Sequence, residues 1–488
     1  MTATRNPTPH TPHPTPDTRN PTPDAPHPHV VLLPCYIKLY DDLLPALRDG
    51  FAGFLEQIAA ALEERGVAVT TAPICRVAEE FDAAVSRLEE AKVDALMTVH
   101  LAYSPSLEAI DAVCRTRLPL ILLDTTMDAD FGIGVSPDRI MFDHGVHGVM
   151  DFASMLRRRK RPFEIVAGHV DDAAMLDTAA GLVRAAMAAA GLRGGRLMRI
   201  GRAFAGMGDF VVTEEALAAR FGLEVRHAGM DVLDSAIAAV SEEAVDQEIA
   251  EDRERFACEI SQETHARSVR VGLGLRRLLD EGGFSGFSIN FQLFDRADRP
   301  ANTMPFLEIS KAMARGIGYA GEGDVLTAAL VGALARAFGE VTFTEVFCPD
   351  WSGDSLFLSH MGEISPSVAG DVPRLFSKPL FSGGSLDPAL LTCAVRPGPA
   401  VFVNLAPGPD DTFSLIVAEV EVLAENGSLD PAMRDVVRAW VRPRGGVKRF
   451  LEAYSRAGGT HHSALVLGDR ADAVSAFGRM SGLEVVRL

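Results

Sequence analysis

The sequence predicts an α/β fold: two doubly wound parallel-sheet units, followed by a β-rich C-terminal unit. Three observations carry this. Short apolar runs alternate with helical patterns from Val30 to about residue 340. Turn residues punctuate the joints between them. After about residue 340 the helices thin out, and short strands cut by Gly, Pro, Asn and Asp take over. With 488 residues the chain has room for several domains of about 100–200 residues each.

Residues 1–29 stand outside this pattern. They hold nine prolines and four histidines (His10, His13, His27, His29), and repeat Arg-Asn-Pro-Thr-Pro at 5–9 and 19–23. Proline at that density removes backbone donors, and nothing apolar is present to fold around. The segment is therefore predicted to be a disordered tail.

In the first unit, residues 30–192, strands are predicted at 30–34, 67–71, 93–99, 119–124 and 163–167. Helical periodicity covers 41–65, 77–92, 106–115, 144–159 and 173–190. Parallel neighbours need such crossovers, and helices then cover both faces of the sheet. The second unit, residues 193–340, repeats the scheme. Strands fall at 196–200, 223–227 and 287–291, with a long acidic helical stretch at 231–281 and helices at 212–221, 305–315 and 324–338. In the third unit, residues 341–488, strands are predicted at 341–347, 354–360, 391–395, 400–405 and 412–422, ending in strand–helix–strand near 463–488.

Composition excludes some functions. Sixty-six acids against 47 bases leave a net charge of −19, the wrong sign for nucleic acid or an anionic membrane. The apolar runs fall short of the ~20 residues a membrane helix needs, and the N-terminus lacks a signal-peptide pattern. Cys35, Cys75, Cys114, Cys258, Cys348 and Cys393 are scattered, with no C-x-x-C pair, and read as reduced thiols. The expectation is a soluble, cytoplasmic protein.

Four stretches carry candidate chemistry. In Gly321-Glu322-Gly323-Asp324, Asp324 reads as a helix N-cap, but a glutamate between two glycines asks for more than a turn. Glu345 interrupts a strand pattern and shares a face with Phe343, so its carboxylate needs a partner. His360 ends a strand in Ser359-His360-Met361-Gly362-Glu363. His461 and His462 follow a double glycine. Two carboxylates with one or two imidazoles suit a divalent ion such as Mn²⁺; zinc would fit too, without thiolates to favour it. Gly272-Leu273-Gly274 lacks the strand and third glycine of a dinucleotide fingerprint, and there is no phosphate-binding Gly-x-x-x-x-Gly-Lys loop. The run Arg157–Arg161, four arginines and Lys160, reads as a solvated helix end.

These stretches resemble, in order, segments of the L-arabinose isomerase family: VHG at 146–148, GGFSGFSINF at 282–291, GYAGEGDVLTAAL at 318–330, SHMGEISP at 359–366 and AGGTHHS at 457–463. L-fucose isomerases belong to the wider group. The resemblance implies two α/β domains (30–192 and 193–340) and a β-barrel-like C-terminal domain (341–488). It implies Mn²⁺, or another divalent ion, held by Glu322, Glu345, His360 and His462. It places His461 beside the sugar and Phe291 in the pocket wall. It also sends His147 to a neighbouring subunit's site, so it implies a homo-oligomer, a trimer or hexamer, with sites at subunit interfaces. The chain departs from the family pattern at Cys35–Tyr40, at Gln292 in the pocket wall, at Val325 and Leu326, and at Phe347.

The implied activity is aldose–ketose isomerisation of an open-chain sugar, an L-arabinose-like pentose or a relative. Glu322 and Glu345 would serve as the acid–base pair through an enediol, with a hydride shift as the competing route. The alternative is a non-catalytic sugar-binding or regulatory protein on the same fold.

Overall fold

The computed structural model describes residues 27–379, 384–425 and 427–488. The expected tail therefore lies, up to residue 26, outside the described residues. His29, assigned to that tail from composition, instead opens the first strand, where its backbone N–H donates to Asp94.

The first sheet holds β1 (His29–Cys35), β2 (Ala68–Thr71), β3 (Ala95–His100), β4 (Leu120–Asp124) and β5 (Glu164–Ala167). All are parallel, in the order β2-β1-β3-β4-β5. β3 is buried along its whole length, as a strand covered on both faces must be. The helix expected over 41–65 is broken. Lys38–Leu43 is helical, then Pro45 intervenes, and the helix resumes only at Ala52–Glu63. Proline offers no N–H to the preceding turn and disfavours helix at the residue before it.

The second sheet uses β6 (Arg196–Ile200) and β7 (Glu224–Ala228), while the two-residue β8 (Ala257–Cys258) leaves to join a small separate sheet. β9 (Gly286–Ile289) and β10 (Gly318–Gly321) complete the order β10-β9-β6-β7, again parallel. The acidic stretch between β7 and β9 resolves into helices Met230–Ala238, Glu242–Arg255 and Gln262–Gly282.

The C-terminal part holds β11 (Val341–Asp350), β12 (Ser355–Ser359), β13 (Arg374–Ser377), β14 (Ala389–Thr392), β15 (Gly398–Pro407), β16 (Phe413–Val422), β17 (Ala439–Pro443), β18 (His462–Leu467) and β19 (Glu484–Arg487). Six of them form a closed antiparallel barrel. The order runs β15-β18-β11-β12-β17-β16, and β16 pairs back onto β15 along the whole of both strands. Closure removes the exposed edges that short strands otherwise present. β19 adds a parallel strand outside on β16.

One helix, the 20-residue Ala173–Leu192, matches a membrane span by length and composition alone. Alanine explains it: the helix is alanine-rich, and two-thirds of its apolar window is buried within the protein. It packs on helices Val325–Phe338 and Ala471–Met480 and on the first sheet, which makes it a core element.

Candidate metal centre and active site

β11 organises the site. It lies between β18 and β12, and its register sets Glu345 opposite His462 on one side and opposite Ser359 on the other. His360 follows Ser359 directly. Three of the expected residues are thus gathered by strand pairing alone. Two residues earlier on the same face of β11, Phe343 is fully buried. The rings of His360 and His462 stand edge-on to it, with centroids 4.7 and 5.0 Å away.

Glu322 arrives from the second sheet, just beyond β10. Its backbone has φ 64°, a left-handed conformation that costs a non-glycine residue about 1–2 kcal/mol. Its N–H donates to Ile289 O (3.0 Å), and its carbonyl accepts from the Phe204 N–H (2.9 Å). The flanking glycines make this turn possible. A Cβ on Gly323, itself at φ 86°, would lie 2.6 Å from Ala203 Cα, and one on Gly321 would lie 3.1 Å from the His360 ring. The glycines make room for the protein's own backbone and imidazole.

The histidines are held by carboxylates on their far sides. A carboxylate only accepts, so each Nδ1 donates and each Nε2 is left facing the cluster. His360 Nδ1 meets Glu363 at 2.8 Å, and His462 Nδ1 meets Asp324 at 3.0 Å. Glu363 also accepts from the Gly362 N–H and from Tyr319 Oη. Asp324 is the predicted N-cap, accepting from the Thr327 N–H, so it caps a helix and orients a histidine at once. His461 Nδ1 meets Asp209 at 2.6 Å.

The Nε2 atoms converge with the two glutamates. His360 Nε2 lies 3.9 Å from Glu345, His462 Nε2 3.6 Å from Glu322, and His461 Nε2 3.7 Å from Glu322. Glu345, His360 and His462 offer ligand atoms within 4.8 Å of one another, and so do Glu322, His461 and His462. His462 Nε2 is buried with no hydrogen-bond partner, and a buried unpaired polar atom needs something to bind. Imidazole nitrogens locked by carboxylates and aimed at two further carboxylates are a donor set that fits a divalent cation.

The charges respond to one another. Burial pushes Glu322 up, but its contact with His461 and the charges of the three histidines outweigh this and hold it below the usual carboxylate range. Glu345 is raised, chiefly by burial, with Glu322 adding to the shift against the histidines. Burial lowers His360 and His461, yet their acidic partners win, and His461 rises to about 9.

The structure brings Glu322, Glu345, His360, His461 and His462 together. Phe291 stacks on Phe204 with centroids 5.8 Å apart, and it is Phe204 whose N–H donates to the Glu322 carbonyl. Gln292 is exposed beside Phe291, its backbone N–H held by Asn290. His147 is exposed at the start of helix Val146–Arg158, next to His144. Among the described residues, no hydrogen bond or ion pair joins Gln292 or His147 to the cluster. Three residues at the site carry roles the sequence reading did not assign. Glu363 sits three places after His360 in a segment already singled out, and Asp324 had been read as a cap alone. Asp209 is 252 positions from His461, and no local spacing signals it.

Comparisons with known proteins point to one family. Residues 212–338 match the L-arabinose isomerase central domain, and residues 340–484 match the L-arabinose isomerase C-terminal domain. An L-arabinose isomerase of Nocardioides sp. is 30% identical over 465 residues, spanning 91% of this chain and 90% of that protein. Another from Erwinia tasmaniensis is 28% identical, covering 88% of each chain. One from Mycolicibacterium smegmatis is 29% identical, covering 79% of this chain and 78% of its own.

Proposed function

The chain belongs to the L-arabinose isomerase family, and on that premise we propose a metal-dependent aldose–ketose isomerase with its centre at Glu322, Glu345, His360 and His462. Aldose–ketose isomerisation of a sugar follows from membership and sets aside the non-catalytic alternative. The observation that carries the metal proposal is the buried, unpartnered Nε2 of His462 among three further ligand side chains.

A divalent ion held by Glu322, Glu345, His360 and His462 would supply Lewis-acid polarisation of the sugar carbonyl, making the C–H beside it more acidic. Mn²⁺ suits the mixed carboxylate and imidazole set. The chain's own residues do the rest. Glu322 comes from the second sheet, beside His461 and His462, and Glu345 from the barrel, beside His360. One takes the carbon-bound proton and the other manages the hydroxyl proton, through an enediol. Glu363 and Asp324 keep two imidazoles from turning away. His461 meets the sugar, and the Phe204–Phe291 pair offers it an apolar wall. Gln292, at the rim, bears on sugar preference.

The exposed His147 serves a neighbouring subunit in this reading, within a cytoplasmic homo-oligomer, a trimer or hexamer. Its three domains divide near residues 193 and 341, after the N-terminal tail. The test is a turnover panel with Mn²⁺ covering L-arabinose, other pentoses, hexoses, 6-deoxyhexoses and tetroses. Interconversion of at least one aldose–ketose pair, abolished by chelation and restored by Mn²⁺, is the expected result. Turnover indifferent to chelation would refute the metal proposal.

A further inference from the structure

The loop 201–213 joins β6 to helix Glu214–Phe221 at the carboxyl edge of the second parallel sheet. That edge is where open α/β sheets place their ligands. From this loop Asp209 reaches into the C-terminal barrel. One of its carboxylate oxygens accepts both the backbone N–H of His461, at 2.9 Å, and the ring Nδ1, at 2.6 Å. Among the described residues, its carboxylate pairs with no lysine or arginine, so its charge serves His461 alone. The next residue, Phe210, is buried and lays its ring against both His461 and His462.

His461 differs from its two neighbours in the cluster. Its side chain keeps 30% of its exposure, where His360 and His462 keep 6% and 0%. Packing therefore leaves this ring more room to turn, and it follows the turn formed by Gly458 and Gly459. Two bonds to one carboxylate oxygen fix both the backbone and the ring. Nδ1 is committed to Asp209, so Nε2 is the nitrogen that faces the site beside Glu322.

We propose that Asp209 is a positioning residue of this active site, fixing the ring of His461 so that Nε2 meets the substrate's oxygens. This rests on the isomerase reading. Asp209 acts through His461 and touches neither the sugar nor the proposed metal ligands' nitrogens. Misplacing a substrate-contacting group by about 1 Å costs on the order of 10²-fold in rate.

The experiment compares Asp209→Ala, Asp209→Asn, His461→Ala and the double variant Asp209→Ala/His461→Ala. The probes are Mn²⁺ and L-arabinose, or the panel sugar turned over fastest. Asp209→Ala should lower kcat/KM about 10²-fold, with Mn²⁺ content and Tm unchanged. Asp209→Asn should recover most of the loss, because the amide oxygen accepts the same two bonds. In the His461→Ala background, Asp209→Ala should cost nothing further. Additive losses, an Asp209→Asn variant as poor as Asp209→Ala, or a loss explained by lower Tm or missing Mn²⁺ would each overturn the proposal. If the wild type turns over no sugar, the isomerase reading fails by itself. The crystal structure of Asp209→Ala then decides separately: a turned His461 ring upholds the positioning role, and an unmoved one overturns it.

Discussion

Glu345 is the residue on which chemistry and structure meet most closely. Glu345→Gln keeps the size of the side chain and removes the charge of the proposed metal ligand and proton carrier. General acid–base groups contribute roughly 10²–10⁴-fold, so steady-state turnover should fall by at least that order while Tm stays near wild type. Asp324 separates two roles. Asp324→Asn keeps a good N-cap for helix Val325–Phe338 but alters the partner of His462. Mn²⁺ affinity should drop about 10–100-fold with little change in Tm. Asp324→Ala should lose the affinity and also about 1 kcal/mol of stability, because the cap goes too. Equal metal affinity in all three proteins would show that Asp324 only caps. Residues whose signal is local were legible in the sequence. Glu322, Glu345, His360, His461 and His462 each sit in a short segment whose composition is unusual for its place. Asp209 was not legible, because its partner is brought to it only by the docking of barrel and sheet.

At the scale of elements, strand pairing and two glycines set the geometry. β11 carries Glu345 opposite His462 and Ser359, and a slip of one residue would turn Glu345 to the other face. Gly323→Ala forces a Cβ against Ala203 at a left-handed φ. It should cost roughly 1–3 kcal/mol and lower Mn²⁺ occupancy in parallel, read by Tm and metal content. Away from the site, helices Glu242–Arg255, Gln262–Gly282 and Phe306–Ala314 share a buried ionic network. Glu248 pairs with Arg276 and Lys311, and Arg276 also binds Glu308. Burial pushes Glu248 up, but Arg276 and Lys311 outweigh it and hold it at about 2. An unfolded glutamate titrates near ~4.3. The stabilisation from Glu248 is therefore complete above that value and is lost as pH falls toward 2. Glu248→Gln should lower Tm at neutral pH, and its deficit against wild type should shrink below about pH 4. A constant deficit down to pH 2.5 would contradict this. Strand and helix patterns were readable wherever the apolar period was clean. Helix 41–65 was over-extended because Pro45 sits inside an otherwise apolar run. β13 and β17 escaped because strands of four and five residues carry weak periodicity, whereas helix Val447–Arg456 was missed although Val447, Phe450 and Tyr454 mark its buried face.

For the whole molecule, two parallel sheets followed by a β-rich part were expected from texture, and the barrel-like form of that last part from the family resemblance. The β15–β16 pairing that closes it is set by barrel geometry more than by any motif. Assembly carries its own prediction. His147 should act on a neighbour's site, so Glu345→Gln and His147→Ala proteins, each impaired alone, should regain activity when their subunits are unfolded and refolded together. Mixed oligomers would contain some sites with both residues intact. No recovery, with mixed assembly shown by mass spectrometry, would place His147 outside the site. The central claim is that four side chains from two sheets hold one divalent ion. Its most direct test is titration of Mn²⁺ into metal-free protein, followed by electron paramagnetic resonance, for wild type and His462→Gln, with Tm as the folding control. One tightly bound Mn²⁺ per chain in the wild type, lost in the folded variant, is the predicted result; no binding by the wild type, or equal binding by both, would contradict it.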